Sequence, residues 1–588
     1  MSSLFGTQRC VSELGFTAGC KSADPFNEIE LNVRFIHEKG ESWLVPGYWA
    51  GDNDWRVRFA PPLSGRYTFR TESSDAADAL LHGQTGSLTA EPYTGAHPLL
   101  KHGSLQVSRN KRHFEHEDGT PFLWLGDTWW MGLCHRWRWP DDFQVMTADR
   151  QRQGFNVVQI VAGLYPDMAA FDPRGANEAG FPWERDWARI NPAYFDMADL
   201  RIAWLVRSGI VPCIVGTWGY YLPWLGVEKM KKHWRYLIAR WGAYPVLWCL
   251  AGEAAMPYYI TPDFKGDGRW LKTHWTDVAR YVRDLDPYHH PITLHSTITA
   301  RATGGWESDS REQIEEPSLV DLALVQGGNS GYQAVGFTVQ IVADAVAREP
   351  RIPVVQGEAC YEGIQSSNGP DIQRFCFWSA MLSGCAGYTY GADGIWQINS
   401  KTKPYGISPT GVAWGVTPWE EALLAPGGRQ IALGKSVLAR LPWWQMEPHQ
   451  EWIQPAATAD QRVGPYAAGI PRRLRVIFFP QFHNFFESKV CGLEQDVVYR
   501  ARYVDPRTVV ELEVGHVDTD PLACVHVGWP AFSPELAAAM GNPIPSVYTS
   551  SPAVKFPSAE VRADAEGTWR TPLPPIMHDW LLILEACT

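Results

Sequence analysis

The feature that most limits what this chain can fold into is a rhythm. From about residue 100, apolar runs of roughly 5–8 residues alternate with longer helical stretches, the signature of a parallel sheet covered by helices. The runs are Phe122–Asp127, Val157–Gly163, Ile210–Gly216, Val246–Glu253, Ile292–Thr297, Leu322–Gly328, Pro353–Ala359 and Gly387–Gly394. Eight is the strand number of a (β/α)8 TIM barrel. Between them, PAYFDMADLRIAWLVRSG, GVEKMKKHWRYLIARWG, WLKTHWTDVARYVRDLD, GFTVQIVADAVARE and PDIQRFCFWSAMLSG carry apolar residues at helical spacing. GGRQIALGKSVLARLPWW reads as a final helix.

The flanks have a different texture. Residues 28–90 alternate and turn often (ELNVRFI, WRVRFAPP, GRYTFRTES), as antiparallel strands do. Past residue 447, RLRVIFFP, VVYRARYV and TVVELEVG read as strands again, and the Pro-rich stretch 531–574 as long loops. The expected organisation is an N-terminal β-sandwich over 1–99, a catalytic barrel over 100–445 and a C-terminal β-sandwich-like domain over 446–588. A chain of 588 residues exceeds a single core, which supports several units.

Composition then excludes partners. A net charge of −12 gives no basic footprint for nucleic acid. No apolar run approaches the ~20 residues that span a bilayer, so no membrane partner is expected. The start MSSLFGTQRCVSELGF lacks the basic and apolar segments of a secretory signal, and eleven cysteines show no CxxC spacing. Cys213, Cys249 and Cys360 lie in apolar runs, so reduced thiols and a cytoplasmic location are the expectation. The 29 Trp and 22 Tyr exceed what cores usually need and suit the flat faces of sugars. A small carbohydrate is the expected partner, and the terminal β-domains leave a homo-oligomer open.

Barrel chemistry sits at the C-terminal ends of the strands. Glu253 closes the fourth run and Glu358 the seventh, each after a Gly that lets the backbone approach closely. Strands four and seven face each other across the ring, so the two carboxylates can flank a glycosidic bond, one as acid/base and one as nucleophile. Either alone could be an ordinary polar strand end, satisfied by an arginine or a helix N-terminus; the pair at matched positions argues for catalysis. Glu362 is a nearby carboxylate, but it falls in the loop beyond the strand. Further candidates for holding sugar hydroxyls and faces are Asp127, Trp129, Trp130, Gln159, Trp218, Tyr220, His295, Gln326, Asn329, Tyr361, Tyr390, Asp393 and Trp396. Each has a structural reading too, and Asp127 in particular could brace the barrel mouth. HExxH, GxxxxGK[ST] and GxSxG are absent, and His295 is alone among strand-end histidines, so neither a metal nor another cofactor is expected.

The runs HFEHEDGTPFLWLGDTWW, GFNVVQIVAGLYP, VLWCLAGE and PVVQGEACYEG resemble the apiosidase-like glycoside hydrolases over roughly residues 100–445. VPGYWAGDNDWRVRFAPPLSGRYTFRTES resembles the small β-sandwich that often precedes such barrels, and the tail resembles the β-domain that follows. The resemblance implies retention, with the acid/base at Glu253 and the nucleophile at Glu358. Family members commonly carry Asp at the strand-four position, where this chain has the longer Glu253. The expected activity is release of a pentose such as apiose or arabinose, or a related sugar, from a small oligosaccharide or glycoside. The rival readings are a non-catalytic carbohydrate-binding protein on the same scaffold, and an inverting or transglycosylating enzyme.

Overall fold

A computed structural model describes residues 2–19, 22–256, 268–297, 299–300, 306–329, 331–485, 488–514, 560–574, 576 and 578–587. The chain forms two compact units, one of residues 1–376 and 385–435, the other of residues 377–384 and 436–588.

In the first unit all eight apolar runs overlap a strand of one parallel sheet: β1 (Trp124–Trp129), β2 (Val157–Val161), β3 (Val211–Val215), β4 (Leu247–Cys249), β5 (Ile292–Thr293), β6 (Ala323–Gly328), β7 (Val354–Ala359) and β8 (Gly387–Tyr390). Their order around the ring is β5-β4-β3-β2-β1-β8-β7-β6. The first run starts later than its apolar pattern suggests, because Pro121–Phe122 pairs instead with Phe114–His116 in a small hairpin sheet.

Closure falls between β5 and β6, through a parallel bridge from His295 to Leu324. Hydroxyls stitch this seam. Thr293 Oγ1 donates to Leu322 O (2.8 Å), Ser310 Oγ accepts from Leu324 N (2.7 Å), and Ser296 Oγ accepts from Gln326 N (3.1 Å).

The covering helices are α1 (Asp141–Gln153), α2 (Pro192–Arg207), α3 (Val227–Trp241), α4 (Gly268–Leu285), α5 (Tyr332–Ala347), α6 (Pro370–Leu382) and α7 (Pro426–Ala439). Of these α1 has no counterpart among the sequence-derived helices; its segment DDFQVMTADRQRQ is too polar to show a clear apolar face. Between β5 and β6 the described residues form two short 3-10 turns, Ser310–Glu312 and Pro317–Leu319. Much of the aromatic excess is core: Trp124, Trp137, Trp183, Trp234, Trp241 and Trp248 are fully buried. Each such ring removes enough apolar area to contribute roughly 4–6 kcal/mol of transfer free energy.

Ahead of the barrel, a five-stranded and a three-stranded sheet pack face to face, with Phe35 stacked on Phe59 at 4.0 Å. Leu31–His37 alternates buried and less buried positions, as a half-covered strand must. Arg58 anchors these sheets to the barrel, donating to Asp199 on α2 (2.6 Å) and to the Arg240 carbonyl on α3 (2.8 Å). Two guanidinium groups, Arg240 and Arg58, hold the Asp199 carboxyl below its usual range despite burial.

The second unit contains an antiparallel sheet in the order Glu447–Pro448, Tyr466–Ile470, Leu474–Phe479, Trp580–Ala586, Tyr499–Val504 and Glu511–Glu513, with Glu560–Val561 also paired to Tyr499–Val504. The expected strands RLRVIFFP, VVYRARYV and TVVELEVG are all represented. Trp452, Ile477, Phe479, Tyr499, Trp580 and Leu582 form its core. Residues 531–559 of the expected Pro-rich loops lie outside the described residues. Among the described residues no helix is long and apolar enough to cross a membrane.

Candidate active site

Beyond the strand tips lies a cavity of about 770 Å³. Glu253 and Glu358 both line it. The β4 ladder stops at Cys249, and Glu253 sits four residues further on with a left-handed backbone (φ 43°). Its loop is pinned on both sides: Gly252 bridges to Trp218, and Ala254 N donates to His295 O at 3.2 Å. A Cβ on Gly252 would lie 2.2 Å from the Trp218 ring, so only glycine permits this approach.

Two neutral donors hold the Glu253 carboxylate. Trp218 Nε1 donates to Oε2 (3.1 Å) and Gln326 Nε2 to Oε1 (3.2 Å). Burial, and then the charge of Glu358, push the Glu253 carboxyl up to about 7; His295, Gln326 and Trp218 pull the other way.

Glu358 sits within β7, where the β6–β7 register shifts to set Gln326 opposite it. Asn329 Nδ2 donates to Glu358 Oε1 at 2.7 Å, and His295 Nε2 approaches Oε2 at 3.4 Å. The buried His295 ring packs edge-on against Trp130 (5.4 Å) and beside Trp218 (6.0 Å). Tyr361 completes this side: burial first, and then the Glu358 charge, raise its phenol far above the ordinary range.

This arrangement places one carboxyl able to hold a proton near neutral pH in the same cavity as a carboxylate supplied with hydrogen-bond donors. Such a pair can protonate a leaving group and attack a carbon centre. Among the described residues no cluster of three or more His, Cys, Asp and Glu is placed to hold a metal ion.

The apiosidase-like catalytic domain matches residues 108–445, more than half of the chain. The chain belongs to the apiosidase-like family. A domain of unknown function (DUF5060) matches residues 10–74, within the N-terminal sheets. No curated protein matches the chain in sequence. Among solved structures, one described as a glycoside hydrolase is 18% identical, with TM-score 0.62 over 84% of this chain and 98% of that one. A glycoside hydrolase family 5 structure from Bacteroides vulgatus ATCC 8482 is 18% identical, with TM-score 0.59 over 83% and 95%. Both share the fold. The apiosidase-like chain is accordingly a glycosidase on a TIM-barrel scaffold.

Of the residues expected at the site, the structure brings Trp130, Trp218, Gln326, Asn329, Tyr361 and Trp396 to the cavity wall beside the two glutamates. His295 stands behind that wall, against Glu358. The rest lie elsewhere, for reasons of strand alternation and loop support. Asp127 and Trp129 share the outward face of β1: Asp127 accepts from Arg150 Nε on α1 (2.6 Å) and from Trp129 Nε1 (2.8 Å). Gln159 points into the barrel interior and donates to Gly357 O (3.0 Å). The Tyr220 hydroxyl donates to Tyr165 O (2.6 Å), supporting the loop after β2. Tyr390 donates to Glu362 (2.6 Å), which also accepts from Gly427 N at the start of α7 (3.0 Å). Asp393 accepts from Thr417 N (3.2 Å), fixing the loop after β8.

The sequence reading passed over Asp167 and Trp414, both on the wall. Asp167 follows β2 in a left-handed conformation (φ 57°), and burial pushes its carboxyl up to about 6 against the pull of Ser408, Trp414 and Arg174. Neither loop has a periodicity to announce these side chains. The signal available was position: Asp167 follows the second apolar run closely, at the mouth end.

Proposed function

We propose that this apiosidase-like protein is a retaining glycosidase that releases a pentose such as apiose or arabinose, or a related sugar, from a small glycoside. The observation that carries the reading is the pairing of Glu253, whose carboxyl is pushed up to about 7, with Glu358 in one cavity.

In the first step Glu358 attacks the anomeric carbon while Glu253 gives its proton to the departing oxygen. Asn329 orients the nucleophile, and its second oxygen lies toward His295. Ester formation cancels the Glu358 charge, one of the two causes holding the Glu253 carboxyl high. Glu253 then ionises more readily and can take a proton from the incoming water, so one residue serves both steps. Buried free thiols at Cys134, Cys213, Cys249, Cys360, Cys376 and Cys385 favour a reducing, cytoplasmic setting.

The test is hydrolysis of paired α and β glycosides, both methyl and aryl (apiosides, arabinosides, fucosides, rhamnosides, glucosides and galactosides), by wild type, Glu253→Gln and Glu358→Gln. Proton NMR of the first-formed anomer reads the stereochemistry. Retention with one glycoside, and loss of roughly 10²-fold or more in both variants on unactivated substrates, supports the assignment. An inverted product, or near-full rate in either variant, overturns it.

A further inference from the structure

The cavity wall carries a third carboxylate that the double displacement does not use. We propose that Asp167 is the specificity-determining residue of this cavity, its carboxylate accepting hydroxyls of a neutral sugar that lies against Trp396 and Trp414. The inference rests on reading the cavity as the sugar site and deepens it by naming the class of sugar.

Asp167 is only 5% exposed, and what it exposes faces the cavity. Neutral donors hold it: Trp414 Nε1 reaches Oδ2 at 3.1 Å, and the Ser408 hydroxyl also acts on the carboxylate. Arg174 pulls on it only through space, its Nε and Nη2 being paired with Asp172 (3.0 and 2.7 Å). A carboxylate can accept from several donors at once, so a ligand hydroxyl reaching the edge that Asp167 shows to the cavity can bond it alongside these groups. The backbone is held as well. Tyr405 donates to Asp167 O at 2.8 Å, and Arg174 ties the same loop through Tyr405 O (3.2 Å) and Ile407 O (3.3 Å). The carboxylate is therefore presented by a fixed left-handed residue, not by a wandering loop.

A second observation is independent of Asp167. Two other groups on the same wall bury polar atoms with no hydrogen-bond partner among the described residues: Trp396 Nε1 and Gln326 Oε1. Buried polar atoms are normally satisfied, so a ligand that both donates and accepts is called for. Sugar hydroxyls do both.

Charge selects among sugars. The described lining residues include three carboxylates, Asp167, Glu253 and Glu358, and no Lys, Arg or His. A uronic acid would bring a further negative charge beside Asp167 and Glu358, with no cation among the described lining residues to meet it. Trp396 and Trp414, with ring centroids 6.5 Å apart and planes at 74°, offer a flat face and an edge to an uncharged ring.

Calorimetric titration of the full chain with neutral aldopentoses and deoxyhexoses, and separately with galacturonate and glucuronate, tests this in wild type, Asp167→Asn and Asp167→Ala. Asparagine tolerates a left-handed backbone, so Asp167→Asn keeps the test alive should the alanine variant misfold. Wild type is expected to bind a neutral sugar and to exclude both uronates by at least about tenfold. Asp167→Asn should weaken the neutral sugar by roughly 10- to 100-fold, and on a cleaved glycoside that loss should fall on KM rather than kcat. The same variant should narrow the gap to the uronates. Equal affinity of wild type and Asp167→Asn for the neutral sugar, a loss confined to kcat, or binding of a uronate as tight as its neutral counterpart overturns the proposal. If wild type binds neutral sugars but cleaves no glycoside, the hydrolase reading fails and the titrations still decide the role of Asp167. Failure to bind any neutral sugar sinks both.

Discussion

Replacing Glu253 by Gln should stabilise the protein, and more so as pH rises. The folded chain holds this carboxyl up to about 7, against an ordinary value of 4.5. Between those values the folded state keeps a proton that the unfolded state has released, so stability falls as pH climbs through the window and levels off above it. Glutamine removes that slope. Taking about 1.4 kcal/mol per pH unit, the gain over wild type is about 1 kcal/mol near pH 5 and at most about 3 kcal/mol near pH 8. Contact of the carboxylate edge with cavity solvent trims both figures. Any cost from rearranged bonds to Trp218 and Gln326 is the same at both pH values, so the pH difference isolates the titration. Urea unfolding of wild type and Glu253→Gln at the two pH values measures it. A gain that does not grow with pH, or a variant less stable than wild type near pH 8, would refute the reasoning that burial and Glu358 together strain this group.

Other outcomes follow from the same geometry. With unactivated substrates, kcat/KM should fall about tenfold per pH unit above about pH 7, as Glu253 loses the proton it must donate; pH-rate profiles check this. Trp218→Phe keeps the ring but deletes a donor to Glu253, so that alkaline limb should move to higher pH. In Glu358→Gln the Glu253 carboxyl should titrate lower than in wild type, followed by carboxyl-labelled NMR, since a cause of its elevation is gone. Arg150→Met strands Asp127 as an unpaired buried charge behind β1 and should cost about 3–5 kcal/mol in urea unfolding, with no direct change to the cavity wall.

Much of the barrel was legible because a parallel strand covered on both faces is mostly apolar along its length, as VVQIV of β2 is. The same property blurred the ends. Leu250 and Ala251 continue the apolar text of β4 after its ladder has stopped at Cys249, so Glu253 looks like a strand end and is a loop residue. Side-chain direction was harder to read. Asp127 and Trp129 sit at a strand tip in sequence, but alternation turns both outward toward α1, whose polar sequence gave no sign that Arg150 would be buried there. Gln159 lies off the wall for the opposite reason, since it turns into the barrel. Asp167 and Trp414 come from irregular loops, where contact partners far apart in sequence decide which side chain meets the cavity.

The seam between β5 and β6 gives the barrel a mechanical character that a uniform ring would lack. Seven strand interfaces are ladders, whereas among the described residues the eighth is joined by one bridge, by Asp321 at the foot of β5 and by the hydroxyls of Thr293, Ser296 and Ser310. Glu253, beyond β4, and Glu358, on β7, stand on either side of that joint, and the Gln326 side chain reaches across it to Glu253. The strand interface with the fewest ladder bonds therefore lies between the strands that carry the two acids. A bound sugar touching both would act as a clasp that stiffens the ring, and removing a single hydroxyl at Ser310 would loosen that gap from behind without altering the wall that the sugar meets.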